Sequence, residues 1–194
     1  MQIDRFPIDG PLLLTPRVFG DERGFFLESW NRRSFAEALG HSLDSAPVFD
    51  QDNQSRSARG VLRGLHYQLE PHAQAKLVRC VAGEIFDVAV DLRRSSPTYG
   101  QWVGARLSGG DHRQLWVPAG FAHGFLVLSE LADVLYKTSG FWHRASERSL
   151  RWDDPALAID WPLEALGGLP PQLSPKDAEA PSLADLAAEG DLFP

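Results

Sequence analysis

Residues 59–80 read RGVLRGLHYQLEPHAQAKLVRC, setting His66, Arg63 and Lys76 among apolar neighbours with strand-like spacing. An unpaired charge is expensive to bury, so such groups either overhang a sheet edge or line a cavity with something to bind. His66 and Lys76 stand ten residues apart, both on even positions, either side of the proline-containing stretch QLEPHAQ. A hairpin-like return would bring them to one end of a barrel. Imidazole takes up a proton near neutral pH, and an ammonium group stabilises a developing oxyanion. Together they suit removal of a proton alpha to a carbonyl, with charge collecting on the ketone oxygen as an enolate. Tyr136, in DVLYKTSG, adds a phenol able to act from the opposite face. A base on one side and an acid on the other invert a carbon centre, and that chemistry requires no cofactor.

These side chains need a rigid frame, and the centre of the chain reads as strands. EIFDVAVDLR (84–93) sets Phe86, Val88, Val90 and Leu92 against Asp87, Ala89 and Asp91, a period of two with one polar face. Gly83-Glu84 marks a turn before it, and YGQWVGARL, RQLWVPAG, HGFLVLS and DVLYKTSG follow, each punctuated by Gly or Pro. Many short strands with regular turns predict an all-β sandwich or barrel. Helix signals are few. Asn31 can cap NRRSFAEALG, which Gly40 stops, and Ser182 with Asp185 forms a capping-box pattern ended by Gly190. Pro and Gly enrichment predicts irregular structure between residues 162 and 181. We expect one domain over residues 1–194, with an irregular C-terminal segment from about residue 162.

WVPAGFAHGF (116–125) holds Pro118, Gly120 and His123 in a P-x-G-x-x-H spacing that resembles the second motif of the cupin superfamily, a jelly roll enclosing a ligand cavity. His123 shares strand parity with Phe121, Phe125 and Val127, so it points to an apolar face. Metal-binding cupins add a second histidine two residues beyond the first and a carboxylate just downstream. Here Gln68 stands at that second position, with Glu70 as the nearby acid. His66 and His123 alone are too few for a site that normally takes three or four ligands. The sequence therefore predicts a cupin-type barrel with no metal.

Composition narrows the partners. The net charge of −7 provides no broad field for nucleic acid, although Arg56, Arg59, Arg63, Lys76 and Arg79 crowd together in sequence and suggest a local pocket for a small anion. No run of about 18 apolar residues predicts a membrane span, and the N-terminus lacks a secretory pattern. The single cysteine, Cys80, excludes an internal disulfide framework and a cysteine-rich zinc site. A cytoplasmic location is expected.

Several strings in combination, DERGFFLESW, QDNQSRSARGVLRGLHYQ, KLVRCVAGEIFDVAVDLRRSSPTYGQWVG, QLWVPAGFAHGFLVLSE, LYKTSG and RWDDPALAIDWP, resemble the dTDP-4-dehydrorhamnose 3,5-epimerase family from about residue 3 to residue 180. The resemblance implies a metal-free homodimeric cupin, its N-terminal strands exchanged with the partner. It implies epimerisation of dTDP-4-dehydro-6-deoxy-D-glucose at C3 and C5, on the route to dTDP-L-rhamnose. It implies His66 as base, paired with Asp177 of LSPKD, Lys76 as the enolate stabiliser and Tyr136 as the acid. Arg23, Phe26, Glu28, Gln51, Asn53 and Arg63 match substrate-holding positions, and His123 matches a polar group near the sugar. Physically, Arg23 and Arg63 can fork onto a diphosphate. The chain departs from the pattern at Trp142, where the family commonly has a second tyrosine. Relatives that epimerise one carbon share the His, Asp, Lys and Tyr set, so mono-epimerisation is an alternative. A sugar-nucleotide-binding cupin without catalysis is another, and a metal-dependent cupin a third.

Overall fold

Alternating side chains build the strands, and Gly and Pro end them. The structure, a computed structural model, describes residues 1–194. In chain order the elements are β1 (Gln2–Arg5), β2 (Leu12–Thr15), β3 (Val18–Asp21), β4 (Gly24–Leu27), α1 (Arg32–Leu39), β5 (Gln51–Ala58), β6 (Leu62–Gln68), β7 (Lys76–Ala82) and β8 (Glu84–Asp91). There follow β9 (Trp102–Ser108), β10 (Gln114–Val117), β11 (Phe121–Val127), β12 (Leu131–Thr138), β13 (Glu147–Ser149), α2 (Pro175–Ala178) and α3 (Leu183–Glu189). One sheet has the order β1-β2-β10-β7-β12-β5 and the other β13-β6-β11-β8-β9, while β3 and β4 form a separate hairpin. This is the cupin-like jelly roll expected from the sequence, mostly strands with short helices outside.

Apolar residues fill the space between the two sheets. Val78, Leu115, Val117 and Val134 of the first meet Ile85, Ala89, Phe121, Phe125 and Val127 of the second. Each sheet is also covered on its outer face. α1 lays Phe35 and Ala38 on Leu12, Leu14, Leu77 and Trp116. The C-terminal segment lays Trp161, Leu166, Leu186 and Phe193 on Leu62, Val88, Val90 and Leu126. Asn31 caps α1 through its side chain and Gly40 ends it in the left-handed region, while Ser182 and Asp185 form the capping box of α3. The stretch 162–181, expected to be irregular, contains a 3-10 turn at Leu163–Leu166 and the one-turn helix α2.

Two expectations change. The aspartate face of β8 was expected simply to be polar, but Asp87 and Asp91 are both fully buried. Both faces of this strand are covered, so each carboxylate takes partners within the protein. Asp91 accepts from Arg93, Ser96 and Thr98. Asp87 pairs within the site described below. Second, β6 and β7 do not form a hairpin: they lie in different sheets. The loop between them crosses the barrel, and that crossing sets His66 and Lys76 on facing walls.

Strand β6 lies unusually tight on β11. A Cβ on Gly64 would stand 2.6 Å from Gly124 Cα and 2.8 Å from the His123 carbonyl oxygen, and Gly64 adopts φ +124°, a region that disfavours other residues. The register shifts beside it, and His66 and His123 become direct cross-strand partners. The two imidazoles thereby share one wall.

Candidate active site

A cavity of about 500 Å³ opens between the sheets. His66 and His123 come from the five-stranded sheet, and Lys76 and Tyr136 from the six-stranded one. Arg63 and Asp177 also line it. The geometry therefore gathers His66, Asp177, Lys76, Tyr136, His123 and Arg63 around one space.

His66 keeps 28% of its side-chain surface open, whereas Asp177 keeps 4%. Nε2 of His66 lies 2.6 Å from Oδ1 of Asp177, although the two residues are 111 positions apart. The other carboxylate oxygen, Oδ2, accepts from the Ser174 hydroxyl at 2.9 Å. Burial pushes the Asp177 carboxyl up, but the hydrogen bonds from His66 and Ser174 outweigh it and hold it below the usual carboxylate range. An ionised carboxylate only accepts hydrogen bonds, so Nε2 carries the ring proton and Nδ1 keeps its lone pair. Burial lowers the His66 pKa, with Asp177 opposing and Lys176 and Lys76 assisting. The ring is thus held neutral at neutral pH.

Lys76 Nζ donates to the His66 carbonyl oxygen at 3.1 Å. Burial lowers its pKa to about 8, with the Asp87 carboxylate pulling the other way. At neutral pH the ammonium form dominates and retains further N–H donors for a ligand oxygen. Burial raises the Tyr136 pKa, which keeps the phenol protonated. His123 Nε2 lies 2.7 Å from Oδ1 of Asp87, and both residues are buried. Asp87 escaped sequence reading because its alternation marked only a polar face. The antiparallel pairing of β8 beside β11, where His123 stands opposite Ala89 and Phe125 opposite Asp87, brings it to the imidazole.

Beside this cavity a smaller one of about 250 Å³ collects Gln51, Asn53, Trp142 and Glu147, and it shares His66, Lys76 and Tyr136. Gln51 donates to Asn53 at 2.8 Å and accepts from the Trp142 backbone at 3.0 Å. Glu147 pairs with Lys176 at 3.1 Å. Burial raises the Glu147 carboxyl, but Lys176 and the Trp142 side chain hold it below the usual range. Lys176 and Glu147 were not singled out in the sequence, since nothing local distinguishes them from surface charges. Gln68, at the second-histidine position, spends its amide on the backbones of His72, Phe141 and His143.

The remaining anticipated residues lie elsewhere. Arg23, Phe26 and Glu28 belong to the β3–β4 hairpin or follow it, outside both cavities, and Arg23 pairs with Asp21. Phe26 is 70% exposed. The cationic cluster also disperses. Arg56 forks onto Asp133 on the surface, Arg59 is exposed in the turn after β5, and Arg79 faces a separate hollow under the hairpin. Sequence proximity did not survive folding because alternate residues of β5, β6 and β7 leave the sheets on opposite faces.

No helix is long and apolar enough to cross a membrane. The sequence model of the dTDP-4-dehydrorhamnose 3,5-epimerase family matches residues 5–185. A dTDP-4-dehydrorhamnose 3,5-epimerase from Pseudomonas aeruginosa is 58% identical over the full length of both chains. Among solved structures, a dTDP-6-deoxy-D-glucose-3,5-epimerase from Legionella pneumophila, in complex with dTDP-4-keto-L-rhamnose, is 52% identical with a TM-score of 0.91, covering 99% of this chain and 97% of that one. A 3'-monoepimerase from Streptomyces bikiniensis, in complex with dTDP-quinovose, is 35% identical with a TM-score of 0.88, covering 97% and 91%. With a family match across nearly all of its length and more than half of its residues shared with a full-length relative, the chain belongs to the dTDP-4-dehydrorhamnose 3,5-epimerase family of isomerases.

Proposed function

We propose that the chain converts dTDP-4-dehydro-6-deoxy-D-glucose to dTDP-4-dehydro-L-rhamnose by inverting C3 and C5 in turn, as a step of dTDP-L-rhamnose formation. The observation that carries the mechanism is the origin of its groups: an oriented, neutral imidazole on one sheet faces a protonated phenol on the other across a single cavity. Nδ1 of His66 removes the proton alpha to the C4 ketone. The electron pair moves into an enolate whose oxygen takes a hydrogen bond from Lys76, and Asp177 stabilises the imidazolium that forms. Tyr136 then delivers a proton to the opposite face of the carbon, inverting it. His66 loses its proton to solvent and Tyr136 regains one, which resets the pair for the second carbon.

Arg63 is assigned to the diphosphate and His123, fixed by Asp87, to a sugar oxygen. Gln51, Asn53 and Trp142 line the adjoining space, where the indole offers a flat surface for the thymine base. Arg23, Phe26 and Glu28 are assigned to the site of a second subunit. That assignment requires a homodimer in which the N-terminal strands reach across, and their exposure away from the two cavities that hold His66 and Lys76 supports it. We read the chain as one cupin-like domain working in the cytoplasm. Incubation of the substrate in heavy water tests the reaction: deuterium is expected at both C3 and C5. Label at one carbon alone identifies a mono-epimerase, and no label identifies a binding protein.

A further inference from the structure

The proposed base depends on a carboxylate that reaches it from far along the chain, and something must hold that carboxylate in line. Asp177 sits on α2, a helix of a single turn, which by itself imposes little rigidity on a side chain with two free torsions. Its surroundings supply two hydrogen bonds of opposite direction. Ser174, the residue that caps α2, accepts from the Asp177 backbone N–H at 3.2 Å. The same hydroxyl donates to Asp177 Oδ2 at 2.9 Å. The serine therefore closes a local ring around the aspartate, gripping its main chain and its far oxygen together, while the near oxygen meets Nε2 of His66 at 2.6 Å.

We propose that Ser174 is a positioning residue for the epimerisation, its hydroxyl fixing the rotation of the Asp177 carboxylate so that Oδ1 stays aligned with the imidazole. This rests on the reading of His66 as the base. A buried carboxylate oxygen that loses its donor is left unsatisfied and turns to find another. Any turn about the side-chain axis carries Oδ1 off Nε2 as well. The imidazole then loses both its fixed orientation and part of the stabilisation of its charged form. The groups that act on His66 are Asp177, which favours the protonated ring, and Lys176 and Lys76, which disfavour it. Glu147, next to Lys176, also senses the His66 charge. Loosening Asp177 leaves the lysines in place, so the ring becomes harder to protonate.

The test uses Ser174→Gly, because glycine is tolerated at a cap position with little loss of helix stability, and Ser174→Thr, which restores a hydroxyl. His66→Ala is measured beside them. Ser174→Gly is expected to lower kcat by about tenfold with KM within about twofold of the parent. The acid limb of its kcat profile should move to lower pH, and Ser174→Thr should recover most of the rate. A Ser174→Gly enzyme with parental kcat and an unmoved acid limb overturns the proposal, as does a threonine variant no better than glycine. A loss of thermal stability without a change in the pH limb assigns Ser174 to folding alone and also overturns it. If His66→Ala itself remains active, the identity of the base fails first, a different outcome from a silent Ser174 beside an inactive His66→Ala.

Discussion

The barrel cavity and the β3–β4 hairpin carry residues assigned to the same substrate, yet the two are built in opposite ways. In the cavity the imidazoles and cations have partners: His66 has Asp177, His123 has Asp87, Arg63 has Ser57 and Lys76 has a carbonyl oxygen. In the hairpin Phe19, Phe25 and Phe26 stand 49%, 63% and 70% exposed, and no strand joins the pair to either main sheet. Chemistry that needs fixed proton positions is placed where two sheets hold both walls. The groups assigned to recognition stand on a ribbon outside both main sheets whose apolar surface is largely open to another molecule.

The contrast can be broken by substitution, and the largest effects belong to the cavity. His66→Ala is expected to lower kcat by at least about 10³-fold, leaving dTDP affinity nearly unchanged, since a base acts in the chemical step alone. Retained turnover, read by product formation, would remove the base from His66. Tyr136→Phe should cost about 10²-fold in product while solvent exchange at carbon persists, separating proton removal from proton return. Parallel loss of both would place Tyr136 elsewhere in the reaction.

pH dependence sharpens the comparison further. In the proposed mechanism the base form of His66 is the active one, and burial lowers its pKa, so kcat/KM should fall with decreasing pH only below the ordinary imidazole range. In the same mechanism the ammonium form of Lys76 is the active one, so kcat/KM should fall as pH rises through about 8. Asp87→Asn removes a carboxylate that raises the Lys76 pKa, and its alkaline limb should move to lower pH. An alkaline limb that stays put in that variant would separate Lys76 from the profile.

The smallest expected effects belong to the hairpin. Phe26→Ala and Arg23→Ala should raise KM by about 5- to 30-fold, on the order of 1–2 kcal/mol of binding, with kcat little changed. If the hairpin serves a second subunit, the parent should also lose substrate affinity on dilution below the dimer's dissociation constant, followed by sedimentation and steady-state rates together. Full activity in a demonstrated monomer would return these residues to surface roles.

Much of this frame was legible in the sequence because local rules govern it. Asn31 and Gly40 bound α1, Ser182 and Asp185 open α3, and Gly83 turns β7 into β8, each by short-range hydrogen bonding or a positive φ. The site was legible in part. His66, Lys76 and Tyr136 stood out as reactive types within strand patterns, but Asp177 was reached only through resemblance, since no local pattern relates residues 111 apart. Asp87, Lys176 and Glu147 were missed for the same reason, and Ser174, three residues from Asp177, was missed because its role depends on that aspartate. Their roles are set by which elements the fold brings side by side, and a period of two reports a face without naming its neighbour. The arginine cluster failed in the opposite sense: adjacency along the chain was mistaken for adjacency in space.

The long reach between His66 and Asp177 has a consequence for biosynthesis. A ribosome completes the imidazole's strand well before it adds the carboxylate, so a nascent or prematurely terminated polypeptide can carry the base without its counter-charge. Competence for catalysis then arrives late in translation, when α2 closes over the barrel. Fragments ending before residue 177 are expected to be inert toward substrate, however much of the jelly roll they retain.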